Sequence, residues 1–153
     1  MVTNNRGFTL TELLIVLAII TILTMISIPA YIGQQKSATR HEAFSNLENL
    51  RLLEEQFFAE NGEYAPAGGG AINYNATVGV DDSGIEDVLP GFRPGGQAGL
   101  PGLGLNFTYD ITSQDTTGDG LADIFIATAT PVAGTRVASD PAYTIDQNNV
   151  RNW

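Results

Sequence analysis

The chain has 153 residues, enough for one domain with a real core plus an appendage, and too few for two ordinary domains. Seventeen acidic against seven basic side chains leave a formal net charge of -10, a field that repels polyanions, so no nucleic-acid partner is expected. Cysteine is absent, which excludes disulfides, thiol catalysis, Cys-ligated zinc and iron–sulfur clusters.

The first seven residues, MVTNNRG, are polar and carry one cation, Arg6. Residues 13–28 then read LLIVLAIITILTMISI, and the next charge after Glu12 is Lys36. At ~1.5 Å per residue the uncharged stretch 13–35 covers roughly 34 Å, against a hydrocarbon thickness of about 30 Å, so one helix can cross a bilayer. A secretory signal peptide would place its small-residue cleavage site after the apolar run, whereas Gly7 lies before it. Arg6 keeps the amino terminus on the cytoplasmic side by the positive-inside rule, and the acidic remainder faces outward. Glu12 breaks the apolar pattern, at a cost of about 2.5–3.5 kcal/mol if it were at the centre of a span and less near the interface. Either it snorkels to headgroups, or it pairs with a cation. A cut after Gly7 would supply that cation, because Phe8 would then carry a terminal ammonium four residues before Glu12.

Pro29 lacks the amide that a helix interior uses, so a kink or local melting is expected over residues 25–28. Beyond it Phe44, Leu47, Leu50, Leu53 and Phe57 recur every three or four residues and form one apolar helix face. Arg40, Glu42, Glu48, Arg51 and Glu55 lie opposite, where solvation is the expectation. Asn61-Gly62 supplies a helix stop. A helix from about Phe8 to Glu60 would be about 80 Å long, so half of it needs cover from lipid or sister subunits. Phe57, Phe58 and Tyr64 are read as packing residues.

Glycine, proline and small polar residues dominate 65–104, which predicts loops, with one helical turn at 85–89. Acidic pairs such as Asp81-Asp82 and Glu86-Asp87 read as solvated charge. Strand patterns return at 106–112 (NFTYDIT), 123–130 (DIFIATAT) and 143–145. Three or four antiparallel strands against the amphipathic helix face predict an α+β head.

Between the first two of these strands, Asp115, Thr117, Asp119 and Asp123 occupy the first, third, fifth and ninth positions of an EF-hand-like loop. Gly120 takes the sharp turn and the Leu121 carbonyl the seventh position. Ile126 stands where the bidentate glutamate would be. The loop reads either as a Ca2+ site completed by water or another segment, or as a hairpin turn with solvated acids. His41 is the single histidine and lies between Arg40 and Glu42, so neither a nucleophilic triad nor a zinc site is expected and the chain is not read as an enzyme.

GFTLTELLIVLAIITIL, with Gly7, Phe8 and the lone acid Glu12, resembles the class III signal of type IV pilins and type II secretion pseudopilins. Thr11 departs from the apolar residue usual before the glutamate. Pro29 falls where these pilins typically carry a proline. EEQFFAENGEYA resembles the segment that closes their first helix. The ending ATPVAG…SDPAYTIDQNNVRNW resembles the carboxy-terminal strands of certain minor pilins, without the cysteine pair those often have. The resemblance implies a pilin-like lollipop, an α+β fold whose long amino-terminal helix protrudes with its hydrophobic half and packs its amphipathic half on a small antiparallel sheet. It divides the chain into a leader (1–7), a transmembrane and filament-core helix (8–35) and an outward head (36–153), the last made of amphipathic helix 36–61, glycine-rich connection 62–105 and sheet 106–153. It also implies prepilin peptidase cleavage between Gly7 and Phe8, N-methylation of Phe8, and assembly through Phe8, Glu12 and Pro29. The implied protein is a structural pilus subunit, major or minor, that sits in inner-membrane lipid before an assembly platform draws it into a homopolymer or mixed filament. A pseudopilin is the alternative, and some of those bind calcium in a carboxy-terminal loop. A membrane-tethered ligand-binding domain is the remote one.

Overall fold

The structure is a computed structural model that describes residues 8–74, 84–95 and 104–153. It divides into two compact units, Met1–Ser37 and Ala38–Trp153. Helix α1 (Leu10–Asn61) contributes to both.

In the first unit every described residue up to Gly33 is exposed, including Phe8, Leu14, Leu17, Ile20, Leu23 and Ile28. The segment is apolar and long enough to cross a membrane, and none of that stretch is buried. Its polar side chains turn inward on the backbone. Thr21 Oγ1 donates to the Leu17 carbonyl at 2.8 Å and Thr24 Oγ1 to the Ile20 carbonyl at 3.0 Å, so neither hydroxyl is left bare on an apolar surface. The local melting expected before Pro29 does not occur, because α1 runs unbroken through it. One missing amide removes one bond from a helix of 52 residues, and the turns on either side hold the backbone.

The second unit packs the rest of α1 against a four-stranded antiparallel sheet in the order β1 (Gly70–Tyr74), β2 (Phe107–Gln114), β3 (Ile124–Pro131) and β4 (Tyr143–Asp146). Period-2 alternation puts Phe107, Tyr109 and Ile111 of β2, Phe125, Ala127 and Ala129 of β3, and Tyr143 and Ile145 of β4 on the inner face. Ala43, Leu47 and Leu50 of α1 meet them at 0% exposure, with Phe44, Leu53 and Phe57 half-buried beside them. A short helix α2 (Gly84–Val88) adds Ile85 and is followed by buried Leu89 and Phe92. Phe57 packs on the core, while Phe58 stacks at 4.6 Å on buried Tyr64, which in turn meets Phe125 at 4.9 Å. The long helix and antiparallel sheet are thus the α+β, pilin-like arrangement expected.

Two expectations for the head are corrected. The interval 65–104 is not all loop, because Gly70–Tyr74 forms edge strand β1 in register with Tyr109–Ser113. Five residues give only Ile72 and Tyr74 as an inward alternation, too little to see beside the glycines. Gly69 explains one of those glycines: its φ is +85° and a Cβ there would lie 3.4 Å from the Ser113 carbonyl. Nor are the charged residues of α1 merely solvated. Arg40 grips buried Asp140 with Nε and Nη2 at 2.7 and 2.9 Å, Glu48 pairs with Arg151 at 2.7 Å, and Glu42 accepts from Asn106. Glu86 pairs with Arg93 at 2.6 Å. These groups fasten the helices to loops that sequence periodicity does not place.

Candidate functional site

Two places in the chain gather the functional residues singled out above. The first is the start of α1. Gly7, the residue before the expected cut, lies outside the described residues, while Phe8 is 85% exposed. Thr9 immediately precedes the helix, and its Oγ1 faces the Glu12 amide at 3.3 Å. In return, Glu12 Oε2 accepts the Thr9 amide at 2.9 Å and the Thr9 hydroxyl at 2.7 Å. This is a capping box, in which residues three apart satisfy each other's orphan amides. It gives Glu12 a local role that neither snorkelling nor ammonium pairing covers, and it makes Thr9 a site residue that the sequence reading missed. The T-x-x-E spacing was the available signal. The arrangement holds the carboxylate next to residue 8, where a cut after Gly7 would create the ammonium. Pro29 sits inside α1, exposed like its neighbours and 21 positions beyond Phe8 in sequence.

The second place is the β2–β3 connection, 115–123. Oxygens of Asp115, Asp119 and Asp123 lie within 4.8 Å of one another. Calcium–oxygen bonds of about 2.3–2.6 Å allow ligand atoms on one ion to be up to about 5 Å apart, so the three carboxylates fit around one such ion. Thr117 Oγ1 stands 3.4 Å from both Asp115 Oδ1 and Asp123 Oδ1, so the fourth side-chain donor is brought to the same place. Leu121 is tied in by its amide, which donates to Asp119 Oδ1 at 3.0 Å. Ile126 belongs to β3 and supplies no oxygen from its side chain.

Backbone amides already hold two of the acids. Asp115 accepts from Gly118 at 2.6 Å, Gly120 at 2.7 Å and Thr117 at 3.0 Å, bonds that pull its pKa below the ordinary carboxylate range. Asp123 accepts from the Thr116 hydroxyl at 2.6 Å and amide at 2.7 Å and is lowered likewise, with Asp115 opposing the shift by like charge. Both are therefore ionised at neutral pH, as a hard cation requires.

His41 is exposed and makes only an edge contact with Phe44, at 5.7 Å, among its described ring contacts.

Residues 2–28 match the family description of a prokaryotic N-terminal methylation motif. The amino-terminal segment carries that motif. The methylation motif thus covers polar residues 2–7, Phe8, the capping box and the apolar helix as far as Ile28. Beyond it, the chain is 36% identical over 107 residues to the type IV major pilin protein PilA of Myxococcus xanthus (strain DK1622), an alignment that covers 64% of this chain and 48% of that protein. It is 37% identical over 74 residues to the fimbrial protein EcpC of Eikenella corrodens, 48% of each chain. The chain spans about half the length of these curated relatives. No solved structure matches significantly.

Proposed function

We propose that this chain is a structural subunit of a type IV pilus, major or minor, and acts by assembly and not by catalysis. One observation carries the reading. The methylation motif of residues 2–28 runs into an apolar helix whose described residues are all exposed up to Gly33. Burying one exposed Leu or Ile contributes about 1.5–3 kcal/mol, so a row of them demands lipid first and sister helices afterwards.

Residues 1–7 are the leader, 8–35 the membrane and filament-core helix, and 36–153 the outward head. Prepilin peptidase cuts between Gly7 and Phe8, where a residue without a side chain admits the enzyme to the backbone. Phe8 is then N-methylated. The new ammonium pairs with Glu12 of a neighbouring subunit, since an unpaired ion in an apolar core costs far more than a paired one. That pairing sets the axial register of otherwise featureless helices. Before assembly the chain lies in the bacterial inner membrane with its amino terminus cytoplasmic, and an assembly platform draws it into a homopolymer or mixed filament.

The test is to shear surface filaments and weigh the subunit. A mass beginning at methylated Phe8 supports the proposal. Gly7→Leu should leave full-length precursor in the membrane, and intact maturation of that variant would sink the cleavage assignment. Glu12→Ala should be processed yet enter few filaments, so a normal filament yield counts against the pairing.

A type II secretion pseudopilin is the second reading, favoured by the carboxylates of Asp115, Asp119 and Asp123 within one ion's reach. There Ca2+ would be held by Asp115, Thr117, Asp119, Asp123 and the Leu121 carbonyl. It would clip the β2–β3 loop in a chain that has no cysteine to do so.

A further inference from the structure

Glu54 lies on the face of α1 that meets the core and is wholly buried, in line with Ala43, Leu47 and Leu50. Its Oε2 accepts the Ala65 amide at 2.8 Å. Its Oε1 is buried and has no hydrogen-bond partner among the described residues. Among the described residues no ion pair to Glu54 is formed. Arg51, one turn earlier on α1, directs its guanidinium to Glu55 at 3.7 Å, and its own buried Nε also lacks a partner among the described residues. Glu55 adds like charge to Glu54, and Tyr64, which with Glu63 is titratable in the following segment, shares the same surroundings.

The segment that Glu54 holds is a junction. The Tyr64 amide donates to the Ala122 carbonyl at 2.9 Å, and the Ala122 amide donates to Glu63 Oε2 at 3.3 Å. The same Glu63 oxygen accepts the Gly68 amide, and Ser113 Oγ donates to the Pro66 carbonyl at 2.9 Å. Residues 63–69 therefore connect the end of α1 to β2 and to the loop that carries the three aspartates.

We infer that Glu54 is a protonation-controlled latch, holding segment 63–69 on α1 while its carboxyl is neutral and releasing it when the carboxyl ionises. A neutral acid accepts the Ala65 amide on Oε2 and leaves only an uncharged oxygen or hydroxyl at Oε1 without a partner among the described residues. An ionised one places a charge in the core with a single amide to stabilise it. Burial is the main cause that pushes this carboxyl up to about 7, with the Ala65 amide opposing it. In the released state Glu54 meets water and returns to the ordinary carboxylate range. The closed state thus binds the extra proton. The latch is tightest below the released-state pKa, loosens as pH rises towards about 7, and does not change further above it.

The test is amide exchange and side-chain carboxyl titration by NMR on the full chain in detergent micelles, from pH 5 to 8. After correction for intrinsic exchange, protection of the Ala65, Tyr64 and Ala122 amides should fall on the order of a hundredfold between pH 5 and 7.5 and then level off, since each unit of pKa difference is a factor of ten. Glu54→Gln keeps an acceptor for Ala65 without a titrating proton and should remove that dependence. Constant protection in the natural chain, or the same fall in Glu54→Gln, would overturn the latch. If Glu54→Gln does not fold, the titration of Glu54 itself decides. A midpoint near 7 supports the latch and one near 4.5 refutes it.

Discussion

The two ends of helix α1 have the same backbone and opposite economies. From Leu10 to Gly33 the helix is largely apolar and exposed, its threonines hydrogen-bond to nearby backbone, and its side chains wait for a solvent other than water. In the second, one stripe is buried against a sheet and the charged residues beside it are each tied to a loop or a neighbour. A helix can thus be continuous in conformation while its stabilisation changes kind along its length. The early half is built to be completed from outside, and the late half is completed from within.

That contrast can be broken or sharpened by four changes. Leu50→Ala removes a wholly buried side chain beneath the sheet and should cost about 2–5 kcal/mol of head stability, read as a lower melting temperature by near-UV circular dichroism. Membrane insertion of the same variant should be unchanged, and a loss of insertion would mean that the two halves are not separate in their energetics. Arg40→Ala removes the ion-pair partner of Asp140 but leaves the Tyr143 hydroxyl on that carboxylate, and should lower the head's melting temperature by less than the cavity does because Arg40 is itself partly exposed. Thr9→Ala removes the cap of the early half at a cost of about 1 kcal/mol. It should speed amide exchange over the first helical turn in micelles and leave the melting of the head where it was.

The smallest effect concerns the β2–β3 loop. Millimolar calcium should raise the head's melting temperature by a few degrees through mass action, and Asp119→Asn should abolish the rise. No shift in the natural chain returns the loop to a hairpin turn with solvated acids. Without metal the loop already has a pH signature. Asp115 and Asp123 have depressed pKa values, so the stability they contribute is present above the ordinary carboxylate range and lost as pH falls through their lowered values. Glu54 has the opposite sign, favouring the fold as pH falls below about 7. The head should therefore be most stable at mildly acidic pH, with a fall on either side.

Much of this was legible without coordinates. The apolar block, the stripe from Phe44 to Phe57, the stop at Asn61-Gly62 and strands β2, β3 and β4 all follow from period and turn chemistry, since each is set by residues close together in sequence. Two of the misses share a cause. Strand β1 is recognisable only beside β2, because its pairing and not its composition makes it a strand. Arg40 and Asp140 stand 100 positions apart, so a helix wheel shows the cation and not its partner. Thr9 differs, because its T-x-x-E signal is local and lies in four consecutive residues of the sequence.

By itself the sequence determined where the chain is greasy, where it is acidic and which segments carry periodic structure, because these are properties of neighbouring residues and need no partner. It also placed Gly7, Phe8 and Glu12 together, three residues in a single short run. Only the tertiary structure decided which charges are held and which acid is hidden. Glu54 and Glu55 are adjacent and chemically alike, yet one is sealed in the core on the Ala65 amide and the other faces Arg51 at the surface. Burial depends on what packs over a side chain, and Glu54 is met by Ala65, a residue that the chain brings back to the helix only after α1 has ended.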